Sequence, residues 1–242
     1  MRRGSIVALL GIGLVAAGVA TAVAVIPTWL PVDASRQAGR IDFVFWFVVA
    51  ICIGLFAIVA AAMIYSVIKF RAAPDDLEDG PSIHGHTGLE IAWTAIPFVL
   101  VTAIAIVCGI VLSRNNAEGA NPLHVNVTAQ QFEFTFSYPS ANNATSPVLR
   151  LPVNRTVVLD MRSLDVIHAF FVPEFRENED IVPGMVTHVV ITPDRVTPPG
   201  HPYPFICNEL CGLGHGLMRT EVIVMPKKAF DAWIAQQKGS GK

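Results

Sequence analysis

Four side chains that bind soft metal ions lie within twelve residues of one another, at Cys207, Cys211, His215 and Met218. They supply two thiolates, an imidazole and a thioether. Sulfur donors combined with imidazole suit copper or zinc, whereas hard metal ions prefer carboxylates. A single Cys, His and Met with a distant histidine would describe a mononuclear blue-copper site. The second cysteine, four residues away from the first, means that two thiolates could bridge a pair of copper ions.

A dinuclear site of this kind needs a second histidine. His168 is the favoured candidate because it ends a predicted strand, Ser163-Leu-Asp-Val-Ile-His168, and a sandwich can bring a strand end beside the cysteine loop. His188 lies in the middle of an alternating strand, and His201 lies in a proline-rich turn. Both are weaker candidates.

Two other interpretations of the cysteine pair remain open. A structural zinc site usually has four Cys and His ligands at C-x₂₋₄-C and H-x₃₋₅-H spacing. This chain has C-x₃-C but one nearby histidine, and zinc leaves Met218 without a role. A disulfide between Cys207 and Cys211 would explain neither His215 nor Met218. The spacing therefore favours copper over zinc and over a disulfide.

The composition predicts a membrane anchor, since 52% of the 242 residues are hydrophobic and the mean hydropathy is +0.52. Uncharged apolar runs extend over Ile6 to Ile26, Phe43 to Ile68 and Ile91 to Leu112. Each reaches the roughly 20 residues that a helix needs to cross a bilayer. The first run, with Arg2 and Arg3 before it, also resembles a secretory signal. It is longer than the usual apolar region of about 7–15 residues, which favours a retained helix.

The basic residues around these runs predict the orientation only weakly. Arg2, Arg3, Lys69 and Arg71 favour the cytoplasmic side, and Arg36, Arg40 and Arg114 oppose this. With or without a cleaved signal, the chain after Leu112 lies outside the cytoplasm, and the acidic stretch Ala72 to Thr87 forms a cytoplasmic loop. The net charge of −2 gives no reason to expect a nucleic-acid partner.

Beyond residue 121 the pattern changes to short β-rich runs separated by turns. The segment Phe132 to Tyr138 alternates aromatic with polar residues, which predicts a strand with four rings on one face. Other predicted strands are His124–Thr128, Val148–Leu151, Thr156–Met161, Met185–Thr192 and Glu221–Met225. Pro226 opens a predicted amphipathic helix. The fold class is therefore membrane-anchored α+β, with a helical hairpin and an extra N-terminal helix before a β-sandwich or Greek-key domain.

Several motifs resemble those of cytochrome c oxidase subunit II. The pattern C-x-E-x-C-x₃-H-x₂-M at Cys207 to Met218 resembles that family's dinuclear copper A loop, and Asp165 to His168 resembles its first histidine motif. Asp180 to Gly184 resembles its D-x-x-P-G turn. Glu90 to Pro97 resembles the E-x-x-W-T-x-x-P start of its second anchor helix. Order and spacing agree from about Ile41 to Trp233.

The resemblance implies a role for each matching residue. The copper ligands would be His168, Cys207, Cys211, His215 and Met218, and Glu209 would add its backbone carbonyl. The Glu209 side chain would point towards a magnesium ion shared with the catalytic subunit. Glu90 would lie at the cytoplasmic mouth of a proton path. As a carboxylate at a helix start, Glu90 also favours the helix dipole, and both interpretations stay open.

One departure from the family concerns electron entry. The family usually has Q-W-x-W where electrons arrive, and this chain has Gln131-Phe132-Glu133-Phe134. Phe132 keeps an aromatic ring at that place but has no indole N–H. An aromatic residue on a sandwich strand is also ordinary core material. The donor would be cytochrome c or another external carrier, and the absence of C-x-x-C-H excludes covalent haem on this chain.

The resemblance implies the electron-entry subunit of a proton-pumping haem-copper oxidase in a bacterial-type plasma membrane, with a cupredoxin-like copper domain on the outer face. Its partners would be the haem-bearing subunit I, where oxygen is reduced, and subunit III, together with membrane lipid. The expected divisions are 1–40, 41–115 and 121–242. The alternatives are a copper A subunit of a nitric oxide reductase and a free-standing anchored copper carrier. Glu90, Trp93 and Pro97 argue against a carrier, because polar features at a membrane edge favour packing on a partner.

Overall fold

A computed structural model of the chain describes residues 3–71, 80, 82 and 84–240, which form two compact units. The first unit takes in Met1–Leu30 and Phe43–Gly109, and the second takes in Pro31–Asp42 and Ile110–Lys242. Arg2 and most of the predicted loop over residues 72–87 lie outside the described residues.

Three helices are long and apolar enough to cross a membrane: α1 (Arg3–Val25), α2 (Arg36–Lys69) and α3 (Thr87–Asn115). They confirm the predicted hairpin with an extra N-terminal helix. Helix α2 begins seven residues before its apolar run because Ser35 caps it, with Ser35 Oγ accepting a hydrogen bond of 3.0 Å from Ala38 N.

The second unit contains two five-stranded sheets that confirm the predicted sandwich. The first sheet has the order β3-β2-β1-β5-β8 and the second has the order β4-β10-β9-β6-β7. The strands are β1 (Leu123–Gln130), β2 (Glu133–Tyr138), β3 (Ala144–Ser146), β4 (Leu149–Pro152), β5 (Val157–Ser163), β6 (His168–Val172), β7 (Glu177–Ile181), β8 (Thr187–Ile191), β9 (Tyr203–Ile206) and β10 (Arg219–Met225). Two pairs are parallel, β1 with β5 and β4 with β10, and the others are antiparallel.

An aromatic cluster fills the space between the sheets. The ring of Phe205 on β9 lies 4.4 Å from Phe134, 5.4 Å from Phe136 and 5.0 Å from Phe170, measured between centroids, and the rings meet edge to face. Such pairs add about 0.5–1.5 kcal/mol each beyond the area that they bury. Because the cluster joins β2 to β6 and β9, it holds both sheets rigid beneath the ends of β6 and β9, where the predicted ligands begin.

The predicted C-terminal helix is present as α4 (Lys227–Ser240). Phe230 is buried, and the Trp233 ring lies 4.9 Å from that of Tyr138. Tyr138 also joins the two sheets. Its hydroxyl donates to Arg150 O (3.2 Å) and accepts from Arg150 N (2.8 Å) on β4.

Two predictions about strands are wrong. His168 opens β6 instead of ending a strand, because a turn occupies the preceding residues. Ser163 Oγ donates to Val166 O and Asp165 Oδ1 accepts from Val166 N, and these local bonds end β5 at Ser163. Phe132 lies in a turn before β2 and is 41% exposed, so three aromatic rings, not four, lie on the buried face of β2.

The segment Pro31–Asp42 packs against the sandwich in the second unit. Ala34 N donates to Glu174 O (2.9 Å), and Arg36 N donates to Thr192 O (3.0 Å). Arg176 binds both carboxylate oxygens of Asp42, at 2.8 and 3.0 Å. This paired contact is the strongest type of side-chain hydrogen bonding, and it ties the first turns of α2 to the β6–β7 hairpin.

Candidate metal centre

The loop that carries the predicted ligands joins β9 to β10. A backbone hydrogen bond of 3.1 Å from Cys207 N to Met218 O closes it, so the first and last ligands face each other across a hairpin. Gly212 has a φ of +127°, a conformation that side-chain-bearing residues rarely adopt. This turn redirects the chain directly after Cys211, and His215 N donates to Gly212 O at 3.1 Å, which brings His215 back towards Cys211.

The sulfur and imidazole atoms of the predicted ligands lie together. The two cysteine Sγ atoms are 3.8 Å apart, and Cys207 Sγ is 3.8 Å from His168 Nδ1. Cys211 Sγ is 3.6 Å from His215 Nδ1 and 3.6 Å from Met218 Sδ. The cysteines are free thiols, since a disulfide would need about 2.05 Å between the sulfurs. Each sulfur thus has its own histidine neighbour.

Glu209 takes part through its backbone. Its carbonyl oxygen lies 3.3 Å from Cys207 Sγ, whereas its side chain is exposed. The carbonyl therefore faces the sulfur pair, and the carboxylate remains open to a partner outside this chain.

Four of the five side-chain ligands predicted here are buried, and His215 is half-buried. His168, Cys207, Cys211 and Met218 are all buried. Burial raises the pKa of the Cys211 thiol to about 11, and the neighbouring Cys207 adds to the effect. Without a cation this thiol is protonated at neutral pH. Binding of a metal ion would therefore displace a proton, as thiolate coordination requires.

Two residues to which no role at the site was predicted hold the predicted ligands in place. Asp165 Oδ1 lies 2.8 Å from His168 Nε2, and Asp165 Oδ2 accepts a hydrogen bond of 2.7 Å from Gln131 N. Burial raises the pKa of the Asp165 carboxyl, but the hydrogen bonds with His168, Gln131 and Val166 lower it more, to about 2. The carboxylate is thus an acceptor at neutral pH. It keeps the proton of His168 on Nε2 and leaves the Nδ1 lone pair facing the sulfurs.

Gln131 also reaches the cysteine loop, where its Nε2 donates to Cys211 O at 2.6 Å. The signals for these two residues were present in the sequence. Asp165 is part of the first histidine motif, and Gln131 begins the stretch that differs from the family's Q-W-x-W pattern.

Phe132 lies against the backbone of the same loop. A Cβ atom added to Gly214 would come within 2.5 Å of the Phe132 ring. Only a glycine permits this approach, so the ring covers the loop between Cys211 and His215. Because 41% of the residue is exposed, Phe132 packs against the loop and also reaches solvent.

The other predicted residues lie elsewhere. Glu90 is in α3, where its Oε1 accepts a hydrogen bond of 3.2 Å from His86 N, as in a helix cap. His188 lies on the outward face of β8, and His201 is exposed in the turn before β9. Neither of the two weaker histidine candidates joins the cluster.

The donor set fits a copper pair. Two thiols that can bridge, two imidazoles, a thioether and a carbonyl are the soft and borderline ligands that copper prefers. A closed zinc site would take four Cys or His ligands and leave the thioether unused.

Two family descriptions match the chain. Residues 23–108 match the transmembrane domain of cytochrome c oxidase subunit II, and residues 124–225 match the periplasmic domain of the same subunit. Together the matches span most of both compact units.

Curated relatives match over most of their length. Cytochrome c oxidase subunit 2 of Synechocystis sp. is 33% identical, over 85% of this chain and 75% of that protein. The protein of the same name from Thermostichus vulcanus is 31% identical, over 86% of this chain and 78% of that protein. Among solved structures, the periplasmic domain of cytochrome oxidase subunit II of Bradyrhizobium japonicum aligns with 51% of this chain and 99% of that chain, at 22% identity and a TM-score of 0.47.

Proposed function

Because the chain belongs to the cytochrome c oxidase subunit II family, we propose that it is the electron-entry subunit of a haem-copper terminal oxidase. It is a membrane-anchored subunit of an oxidoreductase, with its copper domain in the periplasm. The observation that carries the proposal is the buried pair of sulfurs, 3.8 Å apart, each with its own histidine.

The proposed ligands are His168, Cys207, Glu209, Cys211, His215 and Met218, with Glu209 acting through its carbonyl. When bound, the copper pair would accept one electron at a time from an external donor, such as cytochrome c, for transfer to haem in subunit I. The residues of this chain would hold the pair in a largely buried cluster whose donor atoms already lie together. Asp165 and Gln131 keep His168 and the cysteine loop in place, so little needs to move when the charge changes.

Phe132 is the proposed point of electron entry. Its ring is in contact with the ligand loop on one side and with solvent on the other. A donor that docks there would come close to Cys211 and His215 without entering the buried site.

The proposed partners follow from exposed groups. Leu210, Leu213 and Leu217 point out of the ligand loop, and each is more than 80% exposed. Apolar side chains clustered on a surface favour a protein contact. We assign this contact to subunit I, with the exposed Glu209 carboxylate at a shared magnesium site. Glu90 as the entrance of a proton path, a contact with subunit III, and the divisions 1–40, 41–115 and 121–242 belong to the same proposal.

The test is electron paramagnetic resonance of the full-length chain, purified in detergent and loaded with copper. We expect hyperfine structure from one unpaired electron shared equally by two copper nuclei, and we expect Cys207→Ser to abolish it. Cys108→Ser, which removes an exposed thiol in α3, is the matched control and should keep the signal. A single-copper spectrum, or zinc in stoichiometric amount without a copper signal, would refute the dinuclear site.

A second experiment tests the oxidase itself. The chain should purify with a haem-bearing polypeptide, and the complex should consume oxygen with a reduced cytochrome as donor. Consumption of nitric oxide but not oxygen would assign the chain to a reductase, and purification without a haem partner would favour an independent copper carrier.

A further inference from the structure

A second group of metal-binding side chains lies on the outward face of the first sheet. His124 of β1, Asp160 of β5 and His188 of β8 come from three adjacent strands. His124 Nδ1 is 3.1 Å from Asp160 Oδ2, and His188 Nδ1 is 2.7 Å from Asp160 Oδ1. Each oxygen of one carboxylate therefore has its own imidazole.

The strand register brings these residues together. Asp160 is directly opposite His188 in the antiparallel ladder, and His124 is opposite Val158, two residues before Asp160. Side chains two residues apart on a strand share a face, so all three point outward. The hydrogen-bonded strands fix the backbone, whereas the rings can turn, since the His124 and His188 side chains are 49% and 57% exposed.

We propose that His124, Asp160 and His188 bind a divalent transition-metal ion of the zinc type, at a site separate from the copper centre. Two imidazoles and a carboxylate are donors that such ions accept, and the absence of sulfur distinguishes this group from the buried cluster.

The observed distances are those of hydrogen bonds, which a metal ion would replace. Zinc binds nitrogen and oxygen at about 2.0–2.2 Å, which places a nitrogen and an oxygen ligand roughly 3.3 Å apart at a tetrahedral angle. The separations of 3.1 and 2.7 Å are shorter than this value, and the donor atoms of the three residues do not all lie within 4.8 Å of one another. Both exposed rings would therefore have to turn towards a common point to admit an ion. The ring protons would lie on Nε2. Three protein ligands leave one position for water or for a side chain of another protein.

The test measures protection of individual histidines. The full-length, copper-loaded chain in detergent is treated with diethyl pyrocarbonate, with and without Zn²⁺, and modification of each histidine is followed by mass spectrometry. We expect micromolar Zn²⁺ to slow modification of His124 and His188 together by about tenfold or more, because both rings lose their free nitrogen lone pairs to the ion. His201, exposed and outside the group, should react at an unchanged rate.

Two variants decide the outcome. In Asp160→Asn, protection of both histidines should shift to at least about tenfold higher Zn²⁺ concentration, whereas Asp194→Asn, the same change at an exposed position, should have no effect. In His188→Ala, protection of His124 should be lost. The copper signal of each variant reports that the sandwich is folded. Protection of one histidine or of neither, or protection unchanged in both Asp160→Asn and His188→Ala, would overturn the proposal and leave two ordinary surface hydrogen bonds.

Discussion

Replacing Asp165 with alanine should weaken copper binding without removing a ligand. The carboxylate lies 2.8 Å from His168 Nε2 and accepts hydrogen bonds of 2.7 Å from both Val166 N and Gln131 N. After its removal, the buried His168 ring has lost the acceptor that sets its orientation. The Nδ1 atom would then no longer be held towards the sulfurs.

The size of the effect follows from these contacts. Loss of the hydrogen-bond partner of a metal-bound histidine typically costs tenfold to a hundredfold in metal affinity, which is about 1.4–2.8 kcal/mol. Because the Asp165 side chain is 29% exposed, water can replace part of the interaction, and we expect the lower half of that range. Loss of the hydrogen bonds that the two backbone N–H groups donate to the carboxylate costs about 1 kcal/mol of stability each. The metal-free protein should therefore also be less stable, by roughly 2 kcal/mol.

The assay has two parts on the full-length chain in detergent. Competition with a copper chelator gives the affinity, and urea unfolding of the metal-free protein gives the stability. The copper affinity of Asp165→Asn should lie between those of the native protein and Asp165→Ala, since the amide oxygen can still accept a hydrogen bond from His168. Asp194→Ala is the control for loss of an exposed carboxylate. A native copper affinity in Asp165→Ala would refute the view that this carboxylate orients His168.

Three further predictions concern other contacts. Gly214→Ala should lower copper occupancy, measured by metal analysis, because its Cβ would lie 2.5 Å from the Phe132 ring. Adding Phe132→Ala should restore the occupancy, and no recovery in the double variant would contradict the close contact. Burial, and then repulsion from a neighbouring carboxylate, raise the pKa of Glu177 to about 7, above an unfolded value of about 4.3. The folded state thus holds a proton that the unfolded state has lost, and stability falls as the pH rises from about 4.5 to 7. Glu177→Gln should exceed the native protein in urea stability at pH 8, by up to roughly 3 kcal/mol. The difference should fall to nearly zero near pH 4, and a difference that stays constant with pH would be contrary evidence. Arg176→Lys keeps the charge but cannot bind both oxygens of Asp42 in a paired geometry. We expect the free energy of unfolding, measured with heat or urea, to fall by roughly 1–3 kcal/mol. An unchanged stability would show that the paired geometry is unimportant.

The parts of the fold that the sequence predicted are those with a simple pattern. The three apolar runs became α1, α2 and α3, and the alternation in His124–Thr128 became β1, with one face buried and the other open. Strand β6 has no such alternation, because four of its five residues are buried. Strand β7 is acidic and β9 has a proline, so neither resembles an ordinary strand. Their places depend on pairing with distant partners.

The site shows the same division. The clustering of the side chains within Cys207 to Met218 could be predicted because their chemistry and spacing are local. The contacts of Gln131 could not be predicted, although its motif was visible, since they are with residues 34 and 80 positions away. The turn after Ser163 was also not predicted. It depends on hydrogen bonds between residues one and three positions apart, and the β-rich composition of the segment gives no sign of them.

The hydrogen bond between Cys207 and Met218 closes the ligand loop at its base, so the loop could be exchanged with little change to the strands that carry it. Both ends leave from neighbouring antiparallel strands, and the rest of the sandwich contributes His168, the Asp165 carboxylate that orients it, and the contacts of Gln131 and Phe132 with the loop. Insertions or exchanges between those ends would change the number or kind of metal ions without altering the strands beneath. Replacement of this single loop of twelve residues could therefore change the metal centre while the sandwich is kept.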